Sequence, residues 1–315
     1  MINIPHRVEG KSLKTWSTPV HNEEHSPIPC ALCGGTEFVS HFTCTDSGST
    51  VPVVSAAEKP PSFRYVRCAH CRLVQINPQP VPAAVALRYG KNHGVDYLAY
   101  EKTNEAAFLR LQELALKDSG FFELERGLMS ANPKGPEVLD VGCAAGALLL
   151  TLKGRGWKVR GVEISKPQAD YCRERCLEVS SLPLEENRFP AHSFDAVLAS
   201  HLIEHLNDPA NFVREAWRIL KPNGRLYITT PNINGLQARL FGSSWRSAIF
   251  DHLYLFSVKT LTLLLESAGF TVERVKTWGG LAAGIGPLPV KRIFDVLAKP
   301  LGFGDVMIVR AVRPA

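Results

Sequence analysis

Cys30-Ala-Leu-Cys33-Gly-Gly and Cys68-Ala-His-Cys71 are two CxxC pairs. A tetrahedral zinc site needs four soft or borderline ligands, and two short knuckles supply them from opposite sides. Gly34 lets the first knuckle turn back tightly, so that backbone amides can face the sulfurs. Cys30, Cys33, Cys68 and Cys71 are the expected ligands, with His41, Cys44 and His70 as nearby alternatives. Four protein ligands close the coordination shell, so such an ion would be structural and would not activate water. The plainer reading is an incidental or redox pair.

A second chemistry is written in Val138-Leu-Asp-Val-Gly-Cys-Ala-Ala-Gly-Ala-Leu-Leu-Leu150. An apolar strand ends at Gly142, tiny residues turn the chain, and a helix starts near Gly146. Glycine and alanine allow close approach of a bulky ligand, and the helix amides offer donors to a carboxylate. Asp140 stands at the strand end, where it can orient the turn or receive an ammonium. The next strand ends in Glu163, 21 residues beyond Gly142. An acid at that distance suits a ribose, accepting from both hydroxyls. The competing reading is a plain α/β turn with a surface glutamate.

A third group is Ser200-His201-Leu-Ile-Glu204-His205, joined by His252 in an aromatic stretch over 232–256 with Phe241, Trp245, Phe250, Tyr254 and Phe256. Histidine titrates near neutrality and suits proton removal. His201, His205 and His252 are the candidate bases; each could equally cap a strand or helix. The aromatic stretch is expected to wall a pocket rather than fill a core.

Positioning these groups calls for a layered fold. Strands are expected over 137–141, 158–164, 194–200, 225–230, 271–276 and 305–312, with helices over 146–154, 167–176, 209–220 and 258–268 between them. Strand–helix alternation with near-continuous apolar strands means a doubly wound α/β parallel sheet covered on both faces. Ahead of it, Phe108, Leu111, Leu114 and Ala115 recur near the helical period, so one or two helices are expected over 95–130. Residues 1–27 read as a disordered lead-in, 28–80 as the cysteine module, 81–130 as a helical linker or lid, and 131–315 as the catalytic domain. The stretch 279–304, with an amphipathic Lys291 to Lys299, reads as a second lid, a membrane-surface contact or surface buried against the domain.

With 315 residues, the chain can hold one large and one small domain. A net charge of +6 is mild and dispersed, so no nucleic-acid partner is expected. No run of eighteen apolar residues suggests a membrane span, and the first residues do not read as a secretion signal. The eight cysteines then point to a reducing compartment, with the cytoplasm as the expected location.

The order VLDVGCAAG, GVEIS, SFDAVLASHLIEHLNDP and ILKPNGRLYITTPN resembles the class I S-adenosylmethionine-dependent methyltransferases, over roughly residues 100–315. The branch most similar includes ubiquinone-biosynthesis O-methyltransferases and sugar or natural-product methyltransferases. CALCGG and RCAHCRLVQINPQP resemble zinc-ribbon heads on members of that branch. The resemblance implies a mostly parallel seven-stranded Rossmann-like sheet with an antiparallel final hairpin, and S-adenosyl-L-methionine and structural Zn2+ as cofactors. It implies that Gly142, Cys143, Ala144 and Gly146 line the methionine end and ribose, beside Asp140 and Ser200. Glu163 would bind the ribose, and Leu182 to Glu185, with Leu184 central, would border the adenine. Ala144 replaces a common middle glycine. The relatives' divalent-cation motif ExxEH is here HxxEH, which sets oxygen-seeking Mg²⁺ in doubt.

The function implied is methyl transfer to a small-molecule hydroxyl of a sugar, quinone-like or natural-product metabolite. An RNA base methyltransferase is the alternative, but no basic stripe and no NPPY tetrapeptide supports it. A dehydrogenase would want the full G-x-G-x-x-G loop, which Gly-Cys-Ala-Ala-Gly does not supply. A non-catalytic binding protein keeping the fold is the remaining reading.

Overall fold

The computed structural model describes residues 25–45, 62–80, 91–132, 134–280 and 302–315. The expected lead-in before residue 25, residues 81–90 of the linker, and the amphipathic Lys291 to Lys299 stretch lie outside them.

Alternation of side chains along each strand explains the layering. The central strands are β6 (Glu137–Val141), β7 (Lys158–Val162), β9 (Phe194–Ser200) and β10 (Leu220–Pro231). Leu139, Val141, Val197, Ala199, Leu226 and Ile228 enter one apolar cluster, whereas Val138, Ala196, Leu198 and Tyr227 enter another. Both faces are therefore dry, as a parallel sheet demands. Helices α5 (Pro209–Ile219) and α7 (Val258–Ser267) cover the first face through Phe212, Val213, Leu261 and Leu265. The other face is covered by α1 (Lys91–Ser119), α2 (Phe121–Ala131) and α3 (Ala147–Gly154), through Leu116, Phe121, Leu148 and Leu152. Each such side chain, fully buried, contributes about 1.5–3 kcal/mol.

The sheet is completed by β8 (Val179–Ser180), β12 (Thr271–Trp278) and β13 (Val306–Val312) in the order β12-β13-β10-β9-β6-β7-β8. The strands β10, β9, β6, β7 and β8 run parallel, and β13 is antiparallel to both its neighbours. Strand order reverses between β6 and β9, so a crevice opens beyond their carboxyl ends.

Two local irregularities shape the elements. Lys221 to Gly224 does not simply close α5: Leu220 already pairs with Phe194, and the register then jumps to Arg225 opposite Ala196. The N-terminal helical region divides at Gly120, whose φ of 80° ends one helix and begins the next. Its inward face is Ala115, Leu116 and Ser119, while Leu111 and Leu114 are 54% and 46% exposed.

The cysteine module forms its own sheet: β2 (Phe38–Thr45), β3 (Ser62–Cys68) and β4 (Val74–Ile76), all antiparallel. Its fourth strand comes from far away: β11 (Tyr254–Leu255) pairs antiparallel with β4. His25–Ser26 (β1) pairs with Gln79–Pro80 (β5), so the end of the expected lead-in is ordered strand. Phe63, Tyr65, Val74 and Ile76 share a core with Ala238, Trp245, Ala248 and Leu255. The aromatics of 232–256 are thus mainly core rather than pocket wall: Trp245, Tyr254 and Phe256 are buried, and Phe241 is exposed. A module this short cannot bury enough surface alone, and these rings complete it.

Asp305, at the mouth of β13, anchors the stretch. Its buried carboxylate accepts from Trp245 Nε1 at 2.5 Å and Arg246 Nε at 2.7 Å. Asp305→Ala would leave the buried indole N–H without an acceptor. A loss of about 2 kcal/mol is expected in urea unfolding; an unchanged midpoint would show that the anchor is dispensable.

Candidate active site

The chain leaves β6 through three left-handed residues in five: Gly142 (φ 74°), Ala144 (φ 50°) and Gly146 (φ 78°). Gly142 N and Cys143 N both donate to Val162 O, at 2.8 and 3.2 Å, tying the loop to the end of β7. At Gly146 a Cβ would lie 2.7 Å from Leu177 Cδ1 and 2.9 Å from Cys172 Sγ, so only glycine fits. Ala144 takes the left-handed conformation with a side chain, at roughly 1–2 kcal/mol. That is the physical reason a glycine is common there.

Glu163 sits where the spacing put it, one residue past β7, and is 7% exposed. Its Oε2 accepts from Ala144 N at 3.0 Å and its Oε1 from Ser165 N at 2.8 Å. Burial pushes its pKa up, and these two amides pull against that shift. Asp140 is 1% exposed, and its Oδ2 has no hydrogen-bond partner. Burial, then the nearby Glu163, raises its pKa to about 8. An orphaned, buried carboxylate oxygen beside a glycine cradle wants a donor or a cation.

Sequence reasoning missed Glu101, on α1. It is 8% exposed, and its Oε2 accepts from Ala145 N at 3.0 Å and Gln168 Nε2 at 3.1 Å. No pattern marks it, since a helical glutamate reads as solvated surface until its partner 44 residues on is known. Leu184 lies in the short helical turn after β8. It is buried in the main cluster, while Ile164 and Leu182 are exposed after β7 and β8.

The second group gathers beyond β9 and β10. Ser200 ends β9, and His201 N continues the ladder by donating to Thr229 O at 2.8 Å. One helical turn, Ile203–His205, then folds Glu204 inward to complete burial. Its Oε1 meets His201 Nδ1 at 3.2 Å, and its Oε2 accepts from Thr230 Oγ1 at 2.9 Å. Burial would raise its pKa, but the His201 hydrogen bond and the charges of His201, His205 and His252 hold it at about 2. Glu204 is therefore a carboxylate at neutral pH.

The three histidines differ. His252 is buried, and its Nδ1 lies 2.8 Å from Ser247 O, which assigns the proton to Nδ1. Burial first, then His205, lowers its pKa to about 4, so it stays neutral near pH 7. Its ring packs edge-on against His205 with centroids 4.7 Å apart, and His205 Nδ1 is buried without a partner. Only the His201 side chain reaches solvent broadly, at 50% exposure. The metal grouping also shifts. Ligand atoms of Glu204, His205 and His252 lie within 4.8 Å of one another, so His252 replaces His201. The Tyr65 hydroxyl from the cysteine module reaches His252 O at 2.7 Å and Ile249 O at 2.9 Å.

Cys30, Cys33, Cys68 and Cys71 converge with all four sulfurs within 4.8 Å. Cys30 and Cys71 sulfurs are 3.3 Å apart, and those of Cys33 and Cys68 are 3.5 Å apart. Tetrahedral zinc, with Zn–S about 2.3 Å, sets such edges at about 3.8 Å. The donor set and spacing fit that ion. Gly34 has φ 70°, and its N–H donates to Cys30 O at 2.8 Å, closing the knuckle. Of the alternatives, Cys44 lies in the second core against Ser243 O, and neither His41 nor His70 joins the group.

Comparison with known proteins follows the same ground. A family model described as a methyltransferase domain matches residues 113–275. Ubiquinone biosynthesis O-methyltransferase of Caulobacter vibrioides is 32% identical over 133 residues, 40% of this chain and 50% of that protein. The enzyme of the same name from Coxiella burnetii is 27% identical over 182 residues, 52% of this chain and 72% of that protein. The chain thus spans about half the length of the Caulobacter relative. Among solved structures, a chain from the complex of a Haloferax volcanii methyltransferase activator with a methyltransferase aligns with a TM-score of 0.51 at 18% identity. The alignment covers 72% of this chain and all of that one. That likeness concerns the fold: the parallel sheet with its antiparallel end. The family match spans more than half of the chain and includes the loop after β6 and Glu163, so the protein belongs to the methyltransferase domain family.

Proposed function

We propose that the protein transfers a methyl group from S-adenosyl-L-methionine to a hydroxyl of a small-molecule acceptor. The observation that carries this reading is the pairing of Glu163 with the left-handed loop at the strand-order reversal. Bound there, the cofactor supplies an electrophilic methyl on a sulfonium. Gly142, Cys143, Ala144 and Gly146 would line its methionine end and ribose, and the orphaned Asp140 oxygen would take a cationic or hydroxyl donor. Each Glu163 oxygen accepts one amide and retains a lone pair for a ribose hydroxyl. Ile164 and Leu182 would flank the adenine, with Leu184 supporting them from the core.

On the acceptor side, His201 is the base we favour over His205 and His252. The ionised Glu204 fixes the proton on His201 Nδ1, which leaves Nε2 with a lone pair. Ser200 would border the crevice next to it. With a hydroxyl acceptor in the crevice, His201 Nε2 would take the hydroxyl proton, and the bound cofactor would supply the methyl group that the acceptor oxygen gains. Glu204 then stabilises the imidazolium. His252, neutral and buried, would serve as a wall.

The four cysteines would hold one structural zinc, and the module would steady the 249–252 turn through Tyr65. A second reading rests on Glu204, His205 and His252 lying within ligand distance. Two imidazoles and a carboxylate suit zinc or iron better than magnesium.

Three measurements test this. Calorimetric titration should find S-adenosylmethionine binding in the micromolar range and no NAD binding, with Glu163→Ala weakening the former at least about tenfold. Binding of NAD alone would overturn the class, and binding of neither would favour a non-catalytic protein. Metal analysis should find one zinc per chain, lost with stability in Cys68→Ser; two equivalents would bring in the Glu204 site. In an acceptor screen, His201→Asn should lower turnover by about 10²–10⁴ and leave cofactor affinity unchanged. Unaltered turnover would remove His201 as the base.

A further inference from the structure

Three acids from three different elements converge on the loop after β6. Asp140 comes from β6, Glu163 follows β7, and Glu101 comes from α1, outside the residues that match the family. All three are more than nine-tenths buried. Glu163 and Glu101 clasp consecutive loop amides, Ala144 N and Ala145 N. Glu101 also accepts from the neutral Gln168 of α4 (Lys166–Glu174).

Among the described residues, no lysine or arginine pairs with any of the three. Two cations beside the loop and on α1 are committed elsewhere. Arg175 bonds Glu105 at 3.1 Å and Ala145 O at 2.9 Å, and Lys102 lies over the Tyr171 ring at 3.9 Å. The other titratable groups facing Glu101 are acids or neutral: Tyr97 and Glu105 on its own helix, and Glu163 across the loop. Asp140, with its orphaned Oδ2, shares the field of Glu163.

We infer that Glu101 is a third carboxylate of the cofactor site, a residue that selects a positively charged ligand. The inference rests on the proposed function. Three desolvated acids without a counter-ion repel one another, and a cation entering among them relieves that repulsion. S-adenosylmethionine carries two positive groups, the ammonium and the sulfonium. A neutral nucleotide cofactor would leave the acids uncompensated. Glu101 thereby couples occupancy of the cradle to α1, whose packing on α3 and α4 holds the loop from outside.

The linkage has a definite sign. In the empty protein burial raises the Glu101 carboxyl to about 7 and Asp140 to about 8. A bound cation lowers both, so binding releases protons and strengthens as pH rises from about 6 to 8. Stability of the empty protein runs the other way. A carboxyl raised above its unfolded value favours folding at low pH, and that contribution is lost as pH rises through 7 to 8.

The test uses the full chain and two variants, Glu101→Gln and, as a control at the exposed start of α2, Glu123→Gln. Calorimetry with S-adenosylmethionine at pH 7 in buffers of differing ionisation enthalpy should show the release of about one proton. Glu101→Gln should release fewer and bind about tenfold more weakly, while Glu123→Gln matches the parent. Equal affinity and equal proton release in Glu101→Gln would overturn the inference. Thermal unfolding of the empty protein between pH 6 and 9 tests it without ligand: melting temperature should fall with pH, and less so in Glu101→Gln. Parallel curves would overturn it too. If the curves diverge as expected but S-adenosylmethionine does not bind, the acid cluster stands and the proposed cofactor fails.

Discussion

Two buried acids meet where the strand order reverses, and much of the molecule serves to keep them there. A carboxylate taken out of water needs donors or a cation. Glu163 finds two backbone amides, one in its own turn and one in the glycine loop. The loop's shape and the acid's position are therefore one constraint. Gly142 and Gly146 supply the left-handed turns, and Gly161 lies under the loop because a Cβ there would reach Cys143 Sγ at 2.7 Å. Asp140 has no such amides for its Oδ2. Its strained electrostatics are the kind that cluster at functional sites.

The same economy of donors governs the opposite side of the crevice. Glu204 is wholly buried yet satisfied, with one oxygen on His201 and one on Thr230. Around it stand three histidines in different states: one exposed, one buried and neutral, and one with an unpaired ring nitrogen. This set hangs on a turn that is not held by the α/β domain alone. Tyr65 of the cysteine module binds the carbonyls of Ile249 and His252, and β11 extends the module's sheet. Module and domain share an apolar core around Trp245 and Leu255.

Much of this was legible from residue order. Strand β9 matches its expected bounds, Phe194–Ser200, because a seven-residue run of apolar and small residues between polar flanks admits few alternatives. The loop and Glu163 were legible because close approach restricts residue type at fixed spacing. The convergence of the four cysteines was legible because two CxxC knuckles hold their sulfurs at short, fixed spacing. Less legible were faces and partners. Leu111 and Leu114 keep helical spacing but are exposed, and Leu184 is buried in the main core. The aromatics of 232–256 carry no mark telling a pocket from a core.

What the sequence by itself determined was local and periodic: the alternation of strands and helices, the tiny-residue turn, the knuckles, and the acid one strand later. These follow from constraints acting within a few residues or across one βαβ unit. Tertiary structure alone decided which distant side chains meet. Glu101 reaches Ala145 across 44 residues, Tyr65 reaches His252 across 187, and Asp305 reaches Trp245 across 60. Each is a polar group whose partner is chosen by burial, and burial is a property of the folded whole. A glutamate on a helix has the same spelling whether water or a buried amide receives it.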